Sequence, residues 1–119
     1  MYEYKAKIIK VVDGDTVDVI IDCGFSMFTQ QRVRLLGINT PETRTKDLEE
    51  KKRGLAAKQR LKELVKLGKN NCTIHTALDK KGKFGRLLGV IYNKEIDSRA
   101  FNDILVAEGH AVPYYGGAR

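Results

Sequence analysis

Apolar and polar residues alternate through the first part of the chain, which predicts two neighbouring strands. Tyr4–Val12 is rich in β-branched and apolar side chains, and Asp13–Gly14 is a typical hairpin turn. In the segment that follows, Val17, Val19 and Ile21 lie on one face, because successive side chains of a strand point to opposite sides. The pattern therefore predicts a β-hairpin with one buried face.

A third strand is predicted at about Gln30–Gly37. In this strand Val33 and Leu35 lie on one face, and Arg32 and Arg34 lie on the other. The strand therefore combines an apolar side with a strongly basic side.

The rest of the chain predicts two helices separated by two further strands. Residues 42–52 are charged and irregular and predict a surface loop, and a helix is expected over Leu55–Leu67. Alternation returns over Cys72–Leu78 and Leu87–Tyr92, and a short helix is predicted from about Asp97. The apolar residues at helical spacing are Ala57, Leu61, Leu64 and Val65 in the first helix and Phe101, Ile104 and Leu105 in the second.

This order of elements indicates a mainly β fold with α-helices (α+β). Five strands, with one helix after the third and a short helix after the fifth, are typical of a Greek-key barrel of the OB type. A chain of 119 residues is long enough for one hydrophobic core, so we expect a single domain over residues 1–119.

The composition and the N-terminus suggest a type of partner, the state of the cysteines and a location. The formal net charge is +7 and the pI is about 9.5, which favours a polyanionic partner such as nucleic acid, although solubility alone also explains a basic surface. Cys23 and Cys72 are expected to be buried free thiols. The N-terminus carries neither a signal-peptide core nor a membrane span, so the chain as given is expected to be intracellular, or secreted if a leader has been removed.

Three fragments carry a more specific signal: VVDGDTV (residues 11–17), VRLLGINTPET (33–43) and DKKGKFGRLLGVIY (79–92). In this order and spacing, with the helix between the second and the third, they resemble the staphylococcal nuclease (thermonuclease) family. A fourth fragment, AFNDILVAEGHA (100–111), resembles the second helix of that family. The resemblance implies a five-stranded OB barrel and calcium-dependent hydrolysis of DNA or RNA.

The resemblance also implies a site for one Ca²⁺ ion. Asp15 matches the metal-binding aspartate of the family, and Thr40 matches the residue whose backbone carbonyl is a ligand. Asn39 lies where the best-known member has a second aspartate. Ca²⁺ binds carboxylate, amide and backbone oxygens alike, so all three residues remain plausible ligands.

Three further positions match the catalytic residues of the family. Arg34 and Arg86 match the two arginines that bind the scissile phosphate, and Glu42 matches the general base. Each has an ordinary alternative as a surface arginine or a loop glutamate. The alternatives require several independent coincidences at matching spacings, so we favour the catalytic interpretation.

Nucleotide contacts are predicted at four positions. Lys83 and Phe84 match a Lys-Tyr pair near the nucleotide phosphate, with the tyrosine hydroxyl absent from Phe84. Tyr114 and Tyr115 lie near the base-stacking tyrosine, with Tyr115 the better match, although both rings could simply cover the end of the barrel.

The leading hypothesis is a Ca²⁺-dependent nuclease of low sequence specificity that leaves 3′-phosphate ends. The alternative is a catalytically weak or inactive nucleic-acid-binding module, which the amide at Asn39 favours. The expected partner is DNA or RNA, and we expect a monomer without membrane association.

Overall fold

Five strands close into a barrel in the computed structural model, which describes residues 2–78 and 87–114. The elements in chain order are β1 (Tyr2–Asp13), β2 (Thr16–Asp22), β3 (Phe28–Leu35), β4 (Ile38–Asn39), α1 (Leu48–Leu67), β5 (Asn71–Leu78), β6 (Leu87–Tyr92), α2 (Phe101–Ala107) and β7 (Val112–Pro113). The barrel order is β1-β2-β3-β6-β5, and it is closed by antiparallel pairing of β1 with β5 and parallel pairing of β3 with β6. The predicted OB-type α+β fold is confirmed.

The predicted apolar faces fill the barrel. Val17, Val19 and Val33 are fully buried, as the alternation required. Both helices add apolar side chains to the same cluster, namely Leu61, Leu64, Val65, Phe101, Ile104 and Leu105. Neither of the two helices in the described residues is long and apolar enough to cross a bilayer.

Helix α1 begins seven residues earlier than predicted. Asp47 caps it, since its side chain accepts the backbone N–H groups of Glu49 and Glu50, and both of those carboxylates suit the positive end of the helix dipole. The interpretation of residues 42–52 as loop is therefore wrong from Leu48 onward. The first two turns of α1 lack an apolar stripe, which is why periodicity missed them.

Helix α2 is joined to the barrel by a buried side chain that the sequence pattern did not single out. The Asn102 Oδ1 accepts the N–H of Ile91, and its Nδ2 donates to the carbonyls of Leu36 and Gly89. Asn102 is 3% exposed, so these bonds satisfy an amide that would otherwise be costly to bury. They hold the end of β3 against β6 and α2.

The two cysteines have different environments. Cys72 is buried, and burial raises the pKa of its thiol to about 12. Cys23 is exposed at the turn between β2 and β3, so the expectation of two buried thiols is wrong for Cys23. Both are free cysteines.

Candidate active site

Asp15 lies in the two-residue turn between β1 and β2, where Asp13 pairs with Thr16. Its Oδ1 accepts the Thr16 hydroxyl at 3.1 Å, and its Oδ2 accepts the Thr40 N–H at 3.2 Å. The side chain is only 14% exposed. The carboxylate is therefore held toward the segment that leaves β3, rather than turned out to solvent.

Arg34 connects the two segments that carry the predicted site, residues 11–17 and 33–43. It lies opposite Thr16 in the β2–β3 register, and its Nη2 donates to Asn39 Oδ1 at 3.0 Å. The same nitrogen is 3.8 Å from Asp15 Oδ2. With 19% of its side chain exposed, Arg34 is partly desolvated, so these contacts are less screened than those of a surface arginine.

Asn39 is placed by a small sheet that the sequence pattern did not predict. Strands β4 and β7 pair so that Asn39 lies opposite Val112, and the Tyr114 N–H donates to the Gly37 carbonyl at 2.8 Å. The Arg34 guanidinium lies over the Tyr114 ring, 5.2 Å from its centroid. The C-terminal segment thus covers one side of the cluster.

Two oxygens of this cluster already face a cationic group. The Arg34 guanidinium, itself cationic, already lies against Asp15 Oδ2 and Asn39 Oδ1, and the backbone of the buried Thr40 adjoins the same carboxylate. Carboxylate, amide and carbonyl oxygens are hard donors of the kind that Ca²⁺ binds. In the described part of the chain, no group of three His, Cys, Asp or Glu side chains could hold a metal ion. The donor set is therefore poor in negative charge.

Glu42 follows Pro41 on an exposed stretch. Its backbone N–H faces Glu50 Oε1 at 3.5 Å, and within residues 2–78 and 87–114 no hydrogen bond or ion pair holds its carboxylate. The next residue is anchored, since the Thr43 hydroxyl donates to Asp13 Oδ1. Glu42 is thus positioned by its backbone, while its carboxylate stays open to water.

Two glycines let α1 lie directly on these turns. A Cβ on Gly14 would be 2.8 Å from the Ala57 Cβ, and a Cβ on Gly54 would be 2.7 Å from the carbonyl oxygens of Pro41 and Glu42. Contacts this short leave no room for a methyl group. Gly54 therefore sets how closely the helix approaches the Glu42 backbone.

Gly54→Ala should destabilise the protein, by roughly 1–3 kcal/mol, because the added methyl overpacks against two backbone oxygens. At an ordinary exposed helix position, replacing Gly with Ala would instead stabilise the protein, since Gly lowers helix stability by roughly 0.5–1 kcal/mol relative to Ala. The matched control is Ala56→Gly, at an exposed position two residues along α1, which should lose about that amount. Urea unfolding would measure both. A more stable Gly54→Ala protein would contradict the close approach.

The remaining predicted residues fall into two groups. Tyr114 lies at the cluster, against Arg34. Arg86, Lys83, Phe84 and Tyr115 lie outside the described residues, and their assignments stay predictions.

Comparison with known proteins agrees with the fold. Residues 32–118 match the family described as staphylococcal nuclease homologue. The chain is 33% identical over 102 residues to endonuclease YncB of Bacillus subtilis (strain 168), covering 86% of this chain and 44% of that protein. It is 31% identical over 111 residues to the thermonuclease of Staphylococcus hyicus, covering 92% of this chain and 59% of that protein. The chain thus spans about half the length of these relatives, and it belongs to the staphylococcal nuclease family.

Proposed function

We propose that this chain hydrolyses DNA and RNA phosphodiesters with low sequence specificity, depends on Ca²⁺, and leaves 3′-phosphate ends. The observation that carries the proposal is the contact of Arg34 with Asp15 and Asn39, which joins a phosphate-binding group to oxygen donors at adjoining strand ends. Similarity to proteins named endonuclease and thermonuclease supports the same reaction class.

The cation-binding part of the site consists of the Asp15 carboxylate, the Asn39 amide oxygen and the Thr40 backbone carbonyl. When bound there, Ca²⁺ would supply positive charge that neutralises the phosphodiester. Arg34 would then exchange its contact with Asn39 for the phosphate oxygens. Its planar guanidinium can donate two parallel hydrogen bonds, which strengthen as negative charge develops in the transition state. Arg86 is the second such donor by sequence.

Glu42 is the proposed general base. It lies two residues after Thr40, and its exposed carboxylate can accept a proton from a water molecule that attacks the phosphorus. The Tyr114 ring lies beside Arg34, and in this proposal it contacts the sugar or base next to the scissile phosphate. In this scheme attack expels the 5′-oxygen and leaves the phosphate on the 3′ side.

The second candidate function is a nucleic-acid-binding module without turnover. Asn39 favours it, because the described site has a single carboxylate beside the proposed cation. The catalytic proposal is preferred because Asp15, Arg34, Glu42 and Arg86 are all present in the sequence.

The test is digestion of plasmid DNA, single-stranded DNA and RNA with millimolar Ca²⁺ or with a chelator, followed by analysis of the ends. Cleavage only with Ca²⁺, and products with 3′-phosphates, are expected. No cleavage of any substrate, together with retained binding of single-stranded DNA in a filter assay, would instead support the binding module.

Asn39→Asp should tighten apparent Ca²⁺ affinity, because it adds a carboxylate at a site that now offers an amide oxygen. Affinities of protein calcium sites range from about 10⁻⁹ to 10⁻³ M with ligand charge, and we expect the native site near the weak end. A gain of about tenfold would correspond to ~1.4 kcal/mol. Calcium titrations of the cleavage rate would measure it, with a smaller change in the maximal rate. Equal affinity in both proteins would show that residue 39 is not a ligand.

A further inference from the structure

A surface groove lies between β1 and the C-terminal half of α1. Its cavity volume is about 150 Å³. Ile9 and Val65 contribute apolar surface, while Lys10 borders it on the strand and Lys62 and Lys66 border it on the helix. A groove with some apolar surface and ammonium groups on both sides suits a flexible anionic chain.

The charge of this groove is not balanced by its own residues. Among the residues that the structure describes, no carboxylate lines it and Lys10, Lys62 and Lys66 form no ion pair. The residue opposite Lys10 in the β1–β2 register is acidic, namely Asp18. Asp18 is already engaged by Arg32, whose hydrogen bond is the main reason that the pKa of Asp18 is lowered, with Lys10 as a smaller cause. The three lysines remain exposed to solvent.

The two elements that border the groove also extend to the active site. Strand β1 ends at Asp13, next to Asp15, and α1 contacts the Glu42 backbone at Gly54. Residues 51, 58, 62 and 66 of α1 are all lysines, and spacings of seven and four place them on one flank of the helix. From Gly54 to Lys66 the helix rises about 18 Å. The lysine flank thus leads from the site to the groove.

We propose that this groove, bordered by Lys10, Lys62 and Lys66, binds the sugar-phosphate backbone of single-stranded nucleic acid beyond the scissile phosphate. The inference rests on the proposed function for its choice of polyanion. The groove would be a second contact region for the substrate, so long strands should bind more tightly than short ones. Because the contacts are to phosphates, the groove carries no sequence preference.

The test compares Lys62→Gln/Lys66→Gln with the native chain in binding oligothymidylates of about 16 and about 4 nucleotides, in chelator so that no strand is cut. Each lost contact to a single-stranded phosphate lowers the salt slope by about 0.7, so the slope for the longer strand should fall by about 1.4. Its affinity should fall about tenfold or more near 0.1 M salt. Binding of the shorter strand should change little, since it fits within the active site.

Lys5→Gln/Lys94→Gln is the matched control, because it removes the same charge from exposed lysines outside the groove. An equal loss in the control, or an unchanged slope in Lys62→Gln/Lys66→Gln, would overturn the proposal and leave the groove to another partner, such as a protein segment. This result is independent of turnover. A chain that binds through the groove but never cuts would contradict only the proposed nuclease function.

Discussion

Glu42→Gln is expected to lower kcat by about 10² to 10⁴, the usual cost of removing a general base. The glutamine keeps the size of the side chain but cannot accept the proton. Since the described structure shows no partner of the Glu42 carboxylate, the exchange should leave the fold and the free energy of unfolding essentially unchanged. Single-turnover cleavage at saturating Ca²⁺ would measure the effect on chemistry.

The control for this variant is Glu49→Gln, which removes a carboxylate of the same type from the exposed first turn of α1. It should leave kcat unchanged. Circular dichroism and urea unfolding should show a folded protein in both cases. Near-normal turnover in Glu42→Gln would reject the assignment of Glu42 as the base.

Arg34→Lys is expected to lower kcat by about 10² to 10³, the typical cost of losing one donor to developing transition-state charge. Lysine keeps the positive charge but replaces the planar fork with a single ammonium group, so bidentate binding of the phosphate is lost. The change should affect kcat more than KM, because the contact strengthens as charge develops. Steady-state cleavage of a short single-stranded substrate would separate the two constants.

Arg32→Lys offers an unusually close control, since Arg32 lies two residues earlier on the same face of β3. Its guanidinium pairs with Asp18 at 2.8 Å and is 62% exposed, away from the Asp15 and Asn39 oxygens. Arg32→Lys should therefore cut at the native rate. An equal loss of kcat in both variants would indicate that any arginine-to-lysine change on this face of β3 lowers the rate, and would contradict a catalytic role for Arg34.

The strands could be predicted because the local pattern and the buried surface agree. Alternation over residues 17–21 and 33–35 placed Val17, Val19 and Val33 in the core, and the structure buries all three. The Asp13-Gly14 pair also predicted the two-residue turn after β1, although the turn residues are Gly14 and Asp15. Strands and tight turns depend mainly on residues that are close in sequence, so hydrophobic periodicity predicts them.

The predictions were wrong for features that do not depend on the spacing of apolar residues. The start of α1 depends on the Asp47 cap and on acidic residues in the first turn, and its amphipathic stripe begins only at Gly54 and Ala57. The exposure of Cys23 depends on the β2–β3 turn, where Phe25 and Ser26 adopt positive φ values of 54° and 60°. Neither feature follows from apolar spacing.

For the candidate site, the sequence by itself determined which chemical groups are available: a carboxylate at residue 15, a guanidinium at 34, an amide at 39 and a carboxylate at 42. Only the tertiary structure decided that the first three meet. Their contacts depend on the β2–β3 register, on the β4–β7 pairing and on Asn102, whose amide bonds Leu36 across 66 positions of the chain. Contacts between residues so far apart in sequence form only when the barrel, the small β4–β7 sheet and α2 have packed together, so local sequence patterns do not reveal them.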